Sequence, residues 1–225
     1  RDAFDIAARI RFGELPVTYV PGAFWQGLRR LTRYRYRLSK ALSQEKMRFQ
    51  SYAFLKASDW KRVKPFANVL GATSAALLTE FTVAELQEMT HDQLVDLIAR
   101  RGRGKFADPT ATARLVRQAL RTSYPIDPRM DEMVTASLAA IWDHIRYLNR
   151  TMKRLDQQIA RYIDLIPNPI ITIKGLGAVI TAGILAEIVD VLRFKEQKHL
   201  AQFCGLTWRK NSSAGFVSQN TRLTK

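Results

Sequence analysis

An apolar repeat in the second half of the chain constrains the fold more than any other feature. Val134, Leu138, Ile141, Ile145, Leu148, Met152, Leu155, Ile159, Ile163 and Ile166 follow one another at intervals of four and three residues. That period belongs to a helix with one seam laid against another helix. It predicts a continuous helix of about 33 residues, which at 1.5 Å per residue is close to 50 Å. Pro167 and Pro169 end it, since proline lacks the amide a helix needs. A seam of that length has to be covered. A second long helix of the same chain, laid antiparallel, would do so, and so would a second copy of the protein. The expectation is a self-associating coiled coil, giving a dimer or a tetramer.

The candidate partner helix within the chain runs from Phe24 to about Lys64. Leu28, Leu31, Leu38, Leu42, Phe49 and Tyr52 keep a 3/4 spacing, interrupted by Arg35 and Glu45. Its other faces carry twelve cations, Lys56 among them, against only Glu45 and Asp59. Arg29, Arg30, Arg33, Arg37 and Lys40 are interleaved with Tyr34 and Tyr36, a pattern suited to a phosphate backbone. The whole chain of 225 residues has 36 Lys and Arg against 20 Asp and Glu, a formal charge of +16. Self-repulsion at that level points to a polyanionic partner, nucleic acid before an anionic surface. No stretch approaches the ~18 uninterrupted apolar residues of a membrane-spanning helix. The single cysteine, Cys204, leaves no internal disulfide and fits a reducing cytoplasm. Within Leu200–Leu206 it reads as a small core residue.

Helix signals dominate elsewhere, so the expected class is mainly α. Asp2–Phe12 has Phe4, Ile6, Ala7 and Ile10 on one side, with Gly13 as its stop. Phe66–Thr79 reads as a small-residue helix. Thr82 with Glu85, and Thr90 with Gln93, each make a capping box before an apolar run. Arg100–Lys105 is a basic loop broken by glycines, and prolines bracket a helix over Thr110–Arg121.

The last segment holds two candidate sites. Lys174-Gly175-Leu176-Gly177 precedes a helix rich in small residues. A dinucleotide fingerprint is excluded because Ile180 stands where its third glycine belongs. A helix-hairpin-helix turn fits better: its glycines let backbone amides approach a DNA phosphate. The second site is Trp208–Phe216, in which Ser212 and Ser213 lie before Ala214-Gly215 with Arg209, Lys210 and Arg222 nearby. A serine attacks phosphorus only where cations stabilise the developing charge and its proton is accepted. His91, His144 and His199 show neither triad nor metal spacing. An ordinary turn is the alternative reading.

Several motifs in order resemble the transposase domain of the insertion-sequence-110 family, the bridge-RNA-guided DNA recombinases. These are Ile173-x-Gly-Leu-Gly with Ala182 and Ile184, Glu187-Ile188, Arg193-Phe194, Leu200-Ala-x-Phe-x-Gly-Leu206, the serine loop, and Thr221–Lys225. At the start, Arg1-Asp2-Ala3 with Ile6-Ala7 resembles the motif that closes the family's RuvC-like DEDD domain. The resemblance implies three segments: the tail of that domain over 1–20, a basic helical and coiled-coil linker over 21–165, and a small helical transposase domain over 166–225. It implies that Asp2 is one carboxylate of a Mg²⁺ set and that Ser213 is the nucleophile. Ser212 is the runner-up, because glycine comes one place later than in the family's Gln-Ser-Gly loop. Implied partners are DNA, a guide RNA and further copies of the protein, in a bacterial or archaeal cytoplasm, on the nucleoid. The same residues leave two other functions open, a non-catalytic nucleic-acid-binding or assembly protein and a metal-only junction-resolving nuclease. With a single carboxylate of the implied set, these 225 residues are expected to bind nucleic acid without transferring strands.

Overall fold

A computed structural model describes residues 2–13 and 19–207, and the backbone of 212–213 and 216–217. The chain is mainly α. In order come α1 (Asp2–Arg11), α2 (Ala23–Lys56), α3 (Trp60–Val63), α4 (Ala72–Glu80), α5 (Val83–Glu88), α6 (His91–Gly102), α7 (Pro109–Thr122), α8 (Pro128–Asp164), α9 (Ala178–Ile188) and α10 (Gln197–Phe203). A hairpin of β1 (Ser212–Ser213) and β2 (Phe216–Val217) follows, antiparallel, with Ser213 opposite Phe216. Two compact units form, Arg33–Gln158 and the combination of Arg1–Thr32 with Ile159–Lys225. The helices α2 and α8 each contribute residues to both units.

Within the unit Arg33–Gln158, α2 covers the α8 seam. Leu42, Phe49 and Ala53 share one buried cluster with Val134, Leu138, Ile145 and Leu148. Paired residues fix the direction: Arg35 meets Asp156, Glu45 meets His144, Phe49 meets Trp142, and Lys56 meets Asp131. As one number rises the other falls, so the two helices are antiparallel. The seam is therefore covered by α2 of the same chain.

The α2 helix ends at Lys56, short of the expected Lys64. Asp59 N–H donates to Ser123 Oγ at 3.0 Å, and Ser58 Oγ accepts from Tyr124 N–H at 3.1 Å. These tertiary bonds turn the chain and seat Trp60 in the core, where Nε1 donates to Ser74 Oγ at 3.0 Å. Helix also begins later than expected after Phe66. Residues before Gly71 form turns, with Asn68 Oδ1 accepting from Leu70 N–H, and α4 starts at Ala72. Both capping boxes form, Thr82 with Glu85 and Thr90 with Gln93. Hydrogen bonds from the Thr82 amide and hydroxyl hold the Glu85 carboxyl below its ordinary value. Arg100 and Arg101 belong to α6, and the loop proper starts at Arg103 in a left-handed conformation.

Lys56 is a correction to the basic-face reading. Its ammonium is buried, donates to Phe81 O and Thr135 Oγ1, and lies 3.5 Å from Asp131. It is a core ion and not a surface cation. Arg35 is likewise taken, bound through two hydrogen bonds to Asp156.

In the other unit, α9 lays its small residues on α2 and α8. Ala182 and Ala186 are buried against Leu28, Ile159 and Ile163. The C-terminal carbonyls of α9 are capped by cations, as its dipole favours. Arg29 Nε donates to Ala186 O at 2.9 Å, and Arg193 Nε to Ile188 O at 3.1 Å. At its end Val189 takes φ +63, ψ −68, with Asp190 N–H bonded to Ile188 O at 2.9 Å. This is a γ-turn of the strained hand, costly for a β-branched residue. Val189→Gly is therefore expected to raise the melting temperature of this unit, by an amount matching about 1–2 kcal/mol. A lowered melting temperature would show that the valine side chain's packing outweighs the strain.

Candidate nucleic-acid interface

The Gly-x-Gly turn is built as expected on one side and reduced on the other. Its leading element is a single 3-10 turn, Ile170–Thr172, in place of a full helix. Leu176 N–H closes the hairpin on Ile173 O at 3.0 Å. Gly175 has φ +97, which an L side chain rarely adopts. Gly177 has φ −75 and is the N-cap of α9. No side chain caps that helix, so its first amides are open to an anion. Lys174, Gly175 and Gly177 are all exposed.

The two glycines thus make separable predictions. Gly175→Ala is expected to cost this unit about 1–2 kcal/mol, the penalty of a left-handed alanine. A Cβ on Gly177 meets no atom within 4 Å, so Gly177→Ala is expected to leave the melting temperature unchanged while weakening DNA binding. Equal DNA affinity of wild type and Gly177→Ala would remove the amide–phosphate reading of this turn.

On α2 the basic residues separate by role. Arg29 points inward, ion-paired with Glu187 at 3.3 Å and bonded to α9 carbonyls, so it is engaged in packing. Arg30 is exposed. In the unit Arg33–Gln158, Arg33, Arg37 and Lys40 are exposed on one side of the helix, opposite Leu38 and Leu42. The Lys40 ammonium lies 5.4 Å from the Tyr36 ring centre.

Asp2 lies in the first turn of α1 with Asp5, and no residue of that helix is buried. Phe4, Ile6 and Ile10 leave its apolar side exposed. Mg²⁺ requires several oxygen ligands in a near-octahedral set. Among the described residues no group of three His, Cys, Asp or Glu comes together, so Asp2 makes no magnesium site with them. Of the serine loop, β1 holds Ser212 and Ser213 and β2 holds Phe216 and Val217, with Ala214 and Gly215 between. Sequence periodicity gave no sign of this hairpin. The side chains of Ser212 and Ser213, and all of Arg209, Lys210 and Arg222, lie outside the described residues. Cys204 is exposed, against expectation, because α10 buries none of its residues. Arg193 was legible only as part of a motif. Its guanidinium lies 4.9, 4.4 and 4.7 Å from the rings of Tyr19, Phe194 and Phe203, which orders the chain after α9.

A mainly α, strongly basic chain with exposed cations and an open helix start has the equipment of proteins that handle nucleic acid. Residues 168–225 match the family model described as Transposase IS116/IS110/IS902 family. The matched quarter of the chain includes the Gly-x-Gly turn, α9 and the serine hairpin, and it supports a transposase of a mobile element. No curated protein and no solved structure matches the chain. Among the described residues no helix is long and apolar enough to cross a membrane.

Proposed function

We propose that this chain is part of a DNA recombinase of a mobile element that cuts and rejoins DNA through a serine nucleophile, Ser213, guided by a structured RNA. The observation that carries this reading is the family match over 168–225, the segment in which the serine hairpin follows the amide-rich start of α9. In the proposed reaction the serine Oγ attacks a backbone phosphorus, a P–O bond to one strand end breaks as the P–Oγ bond forms, and the proton ends on the departing strand oxygen. Arg209, Lys210 and Arg222 would balance charge on the phosphoryl oxygens. Lys174 and the first amides of α9 would hold a phosphate, and Arg33, Arg37 and Lys40 would hold an RNA or DNA backbone without reading sequence. Base pairing to the guide would then choose the target. Asp2 would supply one carboxylate to a metal set whose other members are not among the described residues. Association of copies would use surfaces other than the α8 seam.

The test is a denaturation-resistant protein–DNA adduct, formed with guide RNA, Mg²⁺ and a labelled DNA site. Ser213→Ala is expected to abolish the adduct and Ser212→Ala to retain it. Loss in Ser212→Ala alone would move the nucleophile by one residue. Adducts in both variants, or none with the wild type, would remove the serine mechanism and leave a nucleic-acid-binding protein.

A further inference from the structure

The basic loop after α6 forms one wall of a cleft that the recombinase reading leaves unused. The cleft encloses about 980 Å³ within the unit Arg33–Gln158. It lies between the start of α4, the end of α6 with its loop, and the middle of α8. Its charges do not cancel. Glu80 is taken by Arg101, and Asp143 by Arg146 at 3.7 Å. Arg100, Arg103 and Lys105 also line it, and none of them has a carboxylate partner among the described residues. The cleft therefore carries a local excess of positive charge beside a concave wall.

That wall offers donors that nothing in the chain uses. Thr73 is only 7% exposed and lines the cleft, yet its hydroxyl has no hydrogen-bond partner among the described residues. Gly71, Ala72 and Ser74 line the cleft beside it, and α4 begins there without a side-chain cap. Aromatic surface completes the set. Trp142 packs on Phe49 at 5.6 Å and also borders the cleft, and its indole N–H has no partner among the described residues. Phe106 stands edge-on to Phe66 at 5.7 Å, over Gly102.

Cations, an unpaired hydroxyl and a half-buried tryptophan in one concavity match an unpaired nucleotide. A duplex keeps its bases stacked inside and presents only its backbone, so it cannot use the aromatic wall. A single strand can turn a base onto that wall while its phosphate meets the cations. We propose that this cleft binds an unpaired nucleotide of a single-stranded segment, its phosphate near Arg100, Arg103, Lys105 and Thr73 and its base against Trp142. The proposal rests on the nucleic-acid reading of the chain given above and assigns it a strand-selective site.

The experiment compares the chain with an Arg103→Asn/Lys105→Gln variant and with Thr73→Val. Asparagine suits the left-handed backbone at position 103, and both cations are exposed, so the fold is expected to survive. Affinity is read by fluorescence anisotropy at physiological salt for short labelled oligothymidylate, oligouridylate and a duplex, with photo-crosslinks mapped by mass spectrometry. The double variant is expected to bind single strands about tenfold more weakly, as the loss of two phosphate contacts implies, with duplex affinity unchanged. Thr73→Val is expected to weaken single-strand binding in the same selective way, and crosslinks are expected at Trp142 or Phe106. Preference between the two oligonucleotides tells whether the strand is DNA or RNA. Unchanged single-strand affinity in the double variant, with the wild type binding both forms, would overturn the cleft alone. A wild type that binds neither form would overturn the nucleic-acid reading as well.

Discussion

Replacing Lys56 with methionine is expected to destabilise the unit Arg33–Gln158 by about 3–5 kcal/mol, the usual cost of leaving one partner of a buried ion pair alone. Lys56 and Asp131 are both almost fully buried and lie 3.5 Å apart. Together they tie the end of α2 and the start of α8 to the chain between α4 and α5. Lys56 donates to Phe81 O, and the Asp131 carboxylate accepts from Val83 N–H at 2.5 Å. Methionine fills much of the lysine's volume but leaves the Asp131 charge uncompensated. Asp131→Leu in the same background is expected to recover part of the loss, giving a coupling that a double-mutant cycle in urea would measure. A loss below about 1 kcal/mol for Lys56→Met would mean that water or a shifted side chain serves Asp131 instead. The pair also sets a pH response. Burial pushes the Lys56 ammonium below its ordinary 10.5, against the opposing pull of Asp131. With the folded pKa below the unfolded one, the unfolded chain binds more protons between the two values. Stability is therefore expected to rise with pH across that window, and Lys56→Met is expected to lose that rise.

The second large effect is expected from Phe49→Ala, at about 3–5 kcal/mol. Phe49 is fully buried where α2 crosses the middle of the α8 seam, with Trp142 against its ring. Because α2 covers that seam within the chain, the cost of Phe49→Ala should be the same at every protein concentration. A cost that changes with concentration would instead place a second copy on the seam, since the Phe49 packing would then depend on the amount of partner. This measurement separates the two coverings that the heptad pattern leaves open. If copies do associate, as a recombinase reading entails, their contact should leave the Phe49 packing untouched.

Local rules make much of the fold legible in the sequence. The seam from Val134 to Ile166, the prolines after it, and the two capping boxes each depend on residues within a few positions of one another. The capping boxes formed where their spacing put them, and the seam lies on α8, which runs from Pro128 to Asp164 and leaves Ile166 just past its end. The Gly175 turn was readable for the same reason, since only glycine takes φ +97 without strain. The match over residues 168–225 likewise rests on motifs written in the chain itself. What failed to show was whatever depends on distant partners. Ser123 and Tyr124 end α2 at Lys56 by hydrogen bonds that no α2 residue announces. Lys56 and Arg29 look like surface cations in a basic run, but Asp131 and the carbonyls of α9 draw them inward. The Ser212–Val217 hairpin has only two residues per strand, too few for an alternating pattern to register. The cleft beside Trp142 gathers residues from Phe66 to Arg146. The sequence by itself determined most of the helices, their caps and the family likeness of residues 168–225, because those depend on near neighbours. Tertiary structure alone decided which helix covers the seam and which cations remain for a ligand, because charge pairing and burial act between residues a hundred positions apart.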